Sequence, residues 1–199
     1  AGTKLSQSKR LLRNLPSTEY ILVALQTPGD TVIQKYSNMS VNDLISKISD
    51  ISANLDIKFI LKPHPNTVRN RKIMPHLIWT TIFKKNVNIF MGDISEAIKN
   101  SSGVIVLNSG VGFEALTHNK PVYTFAEADY SVVAHTINEI PIEQWCLTLP
   151  RKNSNSFFND YCKYNIFLSD QNKAYNQVIN TIKEVLRTKK EEIEFDNKS

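Results

Sequence analysis

Two runs of residues in this 199-residue chain have the composition of a site for a negatively charged ligand. Lys62-Pro63-His64-Pro65 closes one apolar stretch, and Asn108-Ser109-Gly110-Val111-Gly112-Phe113-Glu114-Ala115-Leu116 closes another. Prolines on both sides of His64 restrict the backbone. An imidazole held there can donate to a phosphate oxygen and stabilise charge that develops on a leaving group. Lys62 adds a point charge or carries its stem to solvent, and a structural histidine in a proline-rich turn would be spelled the same way. In the second run Gly110 and Gly112 permit close approach, while Ser109 sets a hydroxyl beside the amides that open a helix. Those amides and the positive end of the helix dipole favour an anion. The residues expected at a phosphate are therefore Lys62, His64 and Pro65 from the first run, and Asn108, Ser109, Gly110, Val111 and Gly112 from the second.

A third run, Gln26-Thr27-Pro28-Gly29-Asp30, leaves an earlier apolar stretch and is expected at the same edge, with Gln26 on the ligand. Asp30 either orients an acceptor hydroxyl and serves as a general base or is the routine polar residue after a Pro-Gly turn. Glu114, one turn into its helix, either accepts from ribose hydroxyls or is a solvated or capping glutamate. Several chemistries lack their signatures. No Gly-Lys-Ser/Thr follows the glycines, the full G-x-G-x-x-G is absent, and Ser109 does not sit in a G-x-S-x-G elbow. With no Asp-x-Asp, and with Cys146 and Cys162 far apart, no metal site is expected. The cysteines read as idle thiols.

These runs need strands to end at one edge. Tyr20–Leu25, Ile57–Lys62, Val87–Phe90, Gly103–Leu107 and Pro121–Phe125 have the length and apolar content of buried strands. Val41, Leu44, Ile45, Ile48, Ile51 and Leu55 follow helical spacing behind a Ser40/Asp43 capping box. Asp93 and Glu96 make a second box for a helix ending near Asn100. A helix is expected over Gly112–Thr117, and a loop with a short helix over residues 66–86. Beyond Tyr130 the pattern weakens until a helix over Asn172–Arg187. Alternation of strands and helices implies an α/β fold, a doubly wound parallel sheet of Rossmann-like type. The organisation expected is a basic segment over 1–18, one domain over 19–188 and a charged tail over 189–199.

With 41% hydrophobic and 22% charged residues the chain can bury a sizeable core. No apolar run reaches the ~20 residues of a membrane helix, and the first stretch lacks the apolar core of a secretory signal. A cytoplasmic protein is expected. A net charge of +5 suits an acidic partner, the inner membrane surface included. The basic clusters Lys9-Arg10, Arg69-Arg71-Lys72, Lys84-Lys85 and Lys189-Lys190 are separated and lack interleaved aromatics, so nucleic acid is not expected.

Together the three runs resemble the bacterial capsule polysaccharide biosynthesis family, the Kdo transferases that work with CMP-activated Kdo and build the glycolipid linker of capsules. The resemblance rests on Leu25-Gln26-Thr27-Pro28-Gly29-Asp30, Lys62-Pro63-His64-Pro65 and Asn108 to Leu116, followed by Lys120-Pro121-Val122 and Ala128-Asp129-Tyr130. It covers residues 20–131. Ala126-Glu127-Ala128 stands where the family usually has a glycine, and Ser131-Val132-Val133 where a Gly-Trp run often follows. The His-Pro pair alone is also similar to sialyltransferases and teichoic-acid glycerophosphotransferases. The resemblance implies the C-terminal, nucleotide-sugar-binding half of a GT-B-like glycosyltransferase. It places His64 and Ser109 at the CMP phosphate and Glu114 near the ribose, with no cofactor beyond the CMP-sugar donor. It implies a glycan or glycolipid acceptor, a second domain supplied elsewhere, and peripheral contact with the inner membrane. A CDP-glycerol-type glycerophosphotransferase and a non-catalytic nucleotide-sugar-binding domain are the alternatives.

Overall fold

The computed structural model describes residues 11–12, 14–70 and 86–164, with positions 179, 180, 183 and 187 beyond them. Its strands are β1 (Leu11–Leu12), β2 (Ile21–Ala24), β3 (Phe59–Lys62), β4 (Val87–Phe90), β5 (Gly103–Val106), β6 (Val122–Thr124) and β7 (His135–Thr136). They form one seven-stranded sheet in the order β1-β4-β3-β2-β5-β6-β7. Every neighbouring pair is parallel. A parallel sheet buries both faces, and β2, β3 and β5 are accordingly buried at every position.

The period of two along the strands sorts their side chains between two layers. Ile21, Val23, Phe59, Leu61, Val87, Ile89, Ile105 and Tyr123 pack in one cluster with Val41, Leu44, Ile45, Ile48 and Ile51 of the helix Val41–Asn54. Ile142, Trp145 and Cys146 of the helix Ile142–Thr148 join them. Leu22, Ile60, Phe90, Val104 and Val106 are buried outside that cluster, as are Ala97 and Ile98 of the helix Ile94–Asn100 and Ala115 and Leu116 of the helix Gly110–Thr117. Right-handed crossovers running in opposite directions along the sheet require this division. The fold is the expected doubly wound, Rossmann-like one.

The Ser40/Asp43 capping box forms in both halves, whereas Asp93 caps its helix through its own side chain alone. The Ser40 amide donates to Asp43 Oδ2 at 2.9 Å and the Asp43 amide to Ser40 Oγ at 3.2 Å. The Ser40 hydroxyl, donating to Asp43 Oδ2 at 2.6 Å, and then the Ser40 amide hold the Asp43 carboxyl below its ordinary value. Asp93 Oδ1 accepts from the Glu96 amide at 2.9 Å. The helix Thr31–Tyr36 was not expected; it follows a turn that Gly29 makes at φ +85°. The helix expected from Gly112 begins two residues earlier, and Pro65 opens a helix, Pro65–Asn70, as well as ending β3. The edge strands β1 and β7 and the helices Ile142–Thr148 and Asn155–Tyr164 are further elements the pattern did not predict.

The chain divides into two compact units, Ala1–Lys152 and Asn153–Ser199, and the division falls inside the 19–188 segment. The sheet and all three site runs belong to the first unit. Of the helix expected over Asn172–Arg187, the described positions 179, 180, 183 and 187 are helical. Residues 1–10, 71–85 and 189–199 lie outside the described residues, as do the side chains of Arg69 and Cys162 and hence the four basic clusters.

Candidate functional site

The chain runs from β2 through β3 to β4 in one direction along the sheet and from β5 through β6 to β7 in the other. The order therefore reverses between the neighbours β2 and β5. In such sheets ligands lie beyond the carboxyl ends of the strands at this reversal. Gln26 and Asn108 each stand two residues past their strand there and are only 8% and 9% exposed. Their side chains form a reciprocal pair whose orientation follows from the backbone. The Asn108 amide can only donate, and it donates to Gln26 Oε1 at 3.1 Å. Gln26 Nε2 must then be the donor to Asn108 Oδ1, at 3.0 Å. Asn108 Nδ2 is what remains, a buried donor with no partner among the described residues. A buried polar group in that state is costly unless a ligand or water completes it.

Next along the chain, Ser109 caps the helix Gly110–Thr117. Its Oγ accepts from the Val111 amide at 3.3 Å and its carbonyl from the Gly112 amide at 2.9 Å, so the hydroxyl proton remains to donate outward. The two glycines have different reasons to be glycine. A Cβ on Gly110 would meet nothing within 4 Å, so the space over the helix start is open. A Cβ on Gly112 would lie 2.6 Å from Tyr130 Cζ and 2.7 Å from Cε2. The Tyr130 hydroxyl donates to the Ser109 carbonyl, and burial pushes its pKa up. Tyr130 thus clamps the turn from β5 into the helix.

At the end of β3, Lys62 is 9% exposed with Nζ 3.5 Å from the Pro63 carbonyl. The lysine thus stays inside and does not reach for solvent, and that burial lowers its pKa while the Asp93 carboxylate partly opposes the shift. His64 is exposed. Its Nδ1 lies 3.2 Å from both the Asn66 amide and Thr27 Oγ1. The Asn66 N–H can only donate, so Nδ1 accepts and the proton of the neutral ring sits on Nε2, facing outward. Pro65 orients this arrangement as the first residue of its helix. β2 lies between β3 and β5, so His64 and Ser109 follow strands that are two spacings, about 10 Å, apart at one edge.

Two expected residues sit in local bonds. The Asp30 amide donates to the Thr27 carbonyl at 3.1 Å, closing the turn. Glu114 Oε1 accepts from Ser95 Oγ at 2.6 Å, joining its helix to Ile94–Asn100. Thr27 and Tyr130 position the site yet were not singled out by type. Thr27 adjoins Gln26, and Tyr130 lies in the Ala128-Asp129-Tyr130 segment that carries the family resemblance.

Beyond β5 and β6 the edge opens into two cavities. One, about 330 Å³, is lined by Tyr36, Asn108, Glu127, Ala128 and Asp129. The other, about 610 Å³, has Tyr36, Met39, Phe125, Glu127, Ile137 and Asn138 among its walls. Neither is lined by Lys62, His64 or Ser109. Among the described residues no cluster of His, Cys, Asp and Glu could hold a metal, and no helix is long and apolar enough to cross a membrane. Cys146 is buried in the core, where burial and the nearby Glu143 push its thiol up to about 12.

The capsule polysaccharide biosynthesis protein family matches the chain over residues 2–172. Among solved structures, the Thermosulfurimonas dismutans KpsC beta Kdo 2,7 transferase is 22% identical, covering 65% of this chain and 42% of its own with a TM-score of 0.50. The beta Kdo 2,4 transferase of the same KpsC is 16% identical over 71% of this chain and 43% of its own, TM-score 0.46. The UDP-GlcNAc 2-epimerase of Methanocaldococcus jannaschii is 16% identical over 76% and 47%, TM-score 0.46. At such identities the likeness is one of fold, and this chain spans less than half the length of each. No curated protein matches it.

Proposed function

The chain belongs to the capsule polysaccharide biosynthesis protein family, and from that premise we propose that it is the nucleotide-binding half of a glycosyltransferase. Its donor is a CMP-activated sugar, CMP-Kdo in the first instance, and its acceptor a glycan or glycolipid at the inner face of the membrane. One observation carries the reading: Asn108 Nδ2, a buried donor with no partner among the described residues, belongs to the residue at the sheet's reversal point that precedes a helix start left open by Gly110.

The donor phosphate lies against the opening amides of the helix Gly110–Thr117 and accepts from Ser109 Oγ and Asn108 Nδ2. From the β3 side it accepts from His64 Nε2–H. When the bond from the anomeric carbon to the phosphate oxygen breaks, these donors stabilise the charge gathering on CMP. The buried Lys62 ammonium adds positive potential, and Glu114 takes the ribose hydroxyls. Asp30 is the base for the acceptor hydroxyl on this side. The chemistry needs neither metal nor cofactor.

Isothermal titration of the 199-residue chain with CMP tests this. We expect saturable binding that His64→Ala and Ser109→Ala each weaken about tenfold, the effect of one charge-assisted hydrogen bond. CMP binding that neither change touches refutes the site. CDP-glycerol in parallel titrations separates the glycerophosphotransferase alternative.

A further inference from the structure

The helices Ile94–Asn100 and Gly110–Thr117 follow β4 and β5, two strands of one parallel sheet, and so both open at the edge where the strands end. They lie on one side of that sheet, with Ala97 and Ile98 of the first and Ala115 and Leu116 of the second buried outside the main cluster. A short bond joins them there. Ser95 Oγ donates to Glu114 Oε1 at 2.6 Å, the length of a hydroxyl on a carboxylate, and both side chains are half-buried. The cap residue of the first helix, Asp93, acts on the Lys62 ammonium, so this turn lies near the β3 end of the site. Glu114 stands four residues after Gly110, one helical turn or about 5.4 Å on, along the same stripe. Helical side chains lean back toward the N-terminus, so a glutamate here reaches toward the turn that Gly110 opens. A Cβ at Gly110 would meet nothing within 4 Å, which leaves the space above that stripe clear.

We infer that Ser95 is a positioning residue for ribose recognition: it holds the Glu114 carboxylate where it accepts from the vicinal hydroxyls of a ribonucleotide whose phosphate lies at the Gly110 helix start. The inference rests on the donor reading above and adds to it a preference for ribose over a sugar without those hydroxyls. An ionised carboxylate offers about four acceptor sites. Ser95 takes one on Oε1, which fixes the group while leaving capacity for two further donors. A glutamate is long and rich in rotamers, and one that must be ordered by its ligand loses that freedom on binding. Here the neighbouring helix has ordered it beforehand. A bond that merely stapled the two helices together would affect stability and leave ligand preference alone.

Titration calorimetry of the full chain with CMP and with its dideoxyribose analogue, which keeps the base and phosphate and lacks both vicinal hydroxyls, provides the test. The parent is expected to bind CMP about tenfold or more tighter than the analogue, the effect of a hydrogen bond to a charged group. Ser95→Ala should weaken CMP about tenfold and leave the analogue nearly unchanged, so that the ratio of the two affinities falls toward one. Ser95→Thr keeps the hydroxyl and should restore the ratio. In a Glu114→Ala background, Ser95→Ala should cost CMP nothing further, because the two residues act as a unit. The inference is overturned if Ser95→Ala keeps the parent's ratio, whatever happens to its melting temperature, or if the parent binds both ligands equally. In either case the phosphate site stands. A chain that binds neither ligand sinks the donor reading and this inference with it.

Discussion

Gly110 and Gly112 lie in one helical turn, yet replacing each with alanine should break different properties. At Gly112 the new methyl would sit 2.6–2.7 Å from carbons of the Tyr130 ring, so the ring must move and its hydroxyl must leave the Ser109 carbonyl. Overpacking of a tight contact costs about 1–3 kcal/mol and the lost hydrogen bond about 1 more. For a unit of this size each kcal/mol lowers the melting temperature by roughly 2–4 °C, so Gly112→Ala should melt roughly 5–15 °C early. At Gly110 the methyl meets nothing within 4 Å and alanine is the better helix former, so stability should hold or rise by a few tenths of about 1 kcal/mol. The same methyl occupies the space through which an anion reaches the opening amides. Losing one charge-assisted bond there, about 1.5–3 kcal/mol, weakens CMP by about 10–150-fold. Differential scanning calorimetry and titration calorimetry on the two variants read both effects. If Gly110→Ala binds CMP like the parent, the helix start is not where the phosphate sits. If Gly112→Ala melts unchanged, Tyr130 is not the clamp.

Gln26→Glu leaves an acceptor for the Asn108 amide but removes the donor to Asn108 Oδ1. The variant should lose about 1–3 kcal/mol at neutral pH and recover in acid, where the protonated carboxyl donates again; a loss independent of pH in urea titrations would contradict the bonding order. Tyr130→Phe should keep the fold and lose about 1 kcal/mol in the same assay, through the hydroxyl alone. His135 is held below its ordinary value of 6.5 by burial and then by Lys152, with Glu139, 3.7 Å from Nδ1, pulling the other way. The unfolded chain therefore binds more protons just below pH 6.5, and stability falls as pH drops through that window. His135→Gln should flatten this slope in thermal melts across pH, and an unchanged slope would assign it to another group.

Much of the framework was legible because a parallel sheet writes itself plainly. Tyr20–Leu25, Ile57–Lys62 and Gly103–Leu107 are continuous apolar runs because both faces of β2, β3 and β5 are covered. Two-residue strands such as Leu11–Leu12 and His135–Thr136 carry no period to read. The helix Thr31–Tyr36 is six residues long, too short for an amphipathic pattern. The helix Ile142–Thr148 could have been read: Ile142, Trp145 and Cys146 have helical spacing directly after Pro141. Site residues near a strand end were found because strand ends were found. Pairings across distant segments, such as Ser95 with Glu114, Tyr130 over Gly112 and Thr27 with His64, have no local signature. The larger cavity draws Tyr36, Glu127 and Asn138 from three segments that share no motif.

The polarity of the edge follows from how its hydrogen bonds are directed. Backbone amides at Asn108, Val111 and Asn66 can only donate, and each is met by an acceptor on Gln26, Ser109 or His64. Every side chain that accepts inward in this way is left with its donor facing outward, directly at Ser109 and His64 and through Gln26 at Asn108. The edge from β3 to β5 therefore presents N–H and O–H groups to whatever binds, and a ligand that answers them must be rich in acceptors, as a phosphate is. Past Asn108 the amides close on one another: Phe125 and Ala126 bond to Val106 and Leu107, and Ala128 to Ser131 Oγ. The donor-lined stretch ends at Asn108, where the sheet reverses.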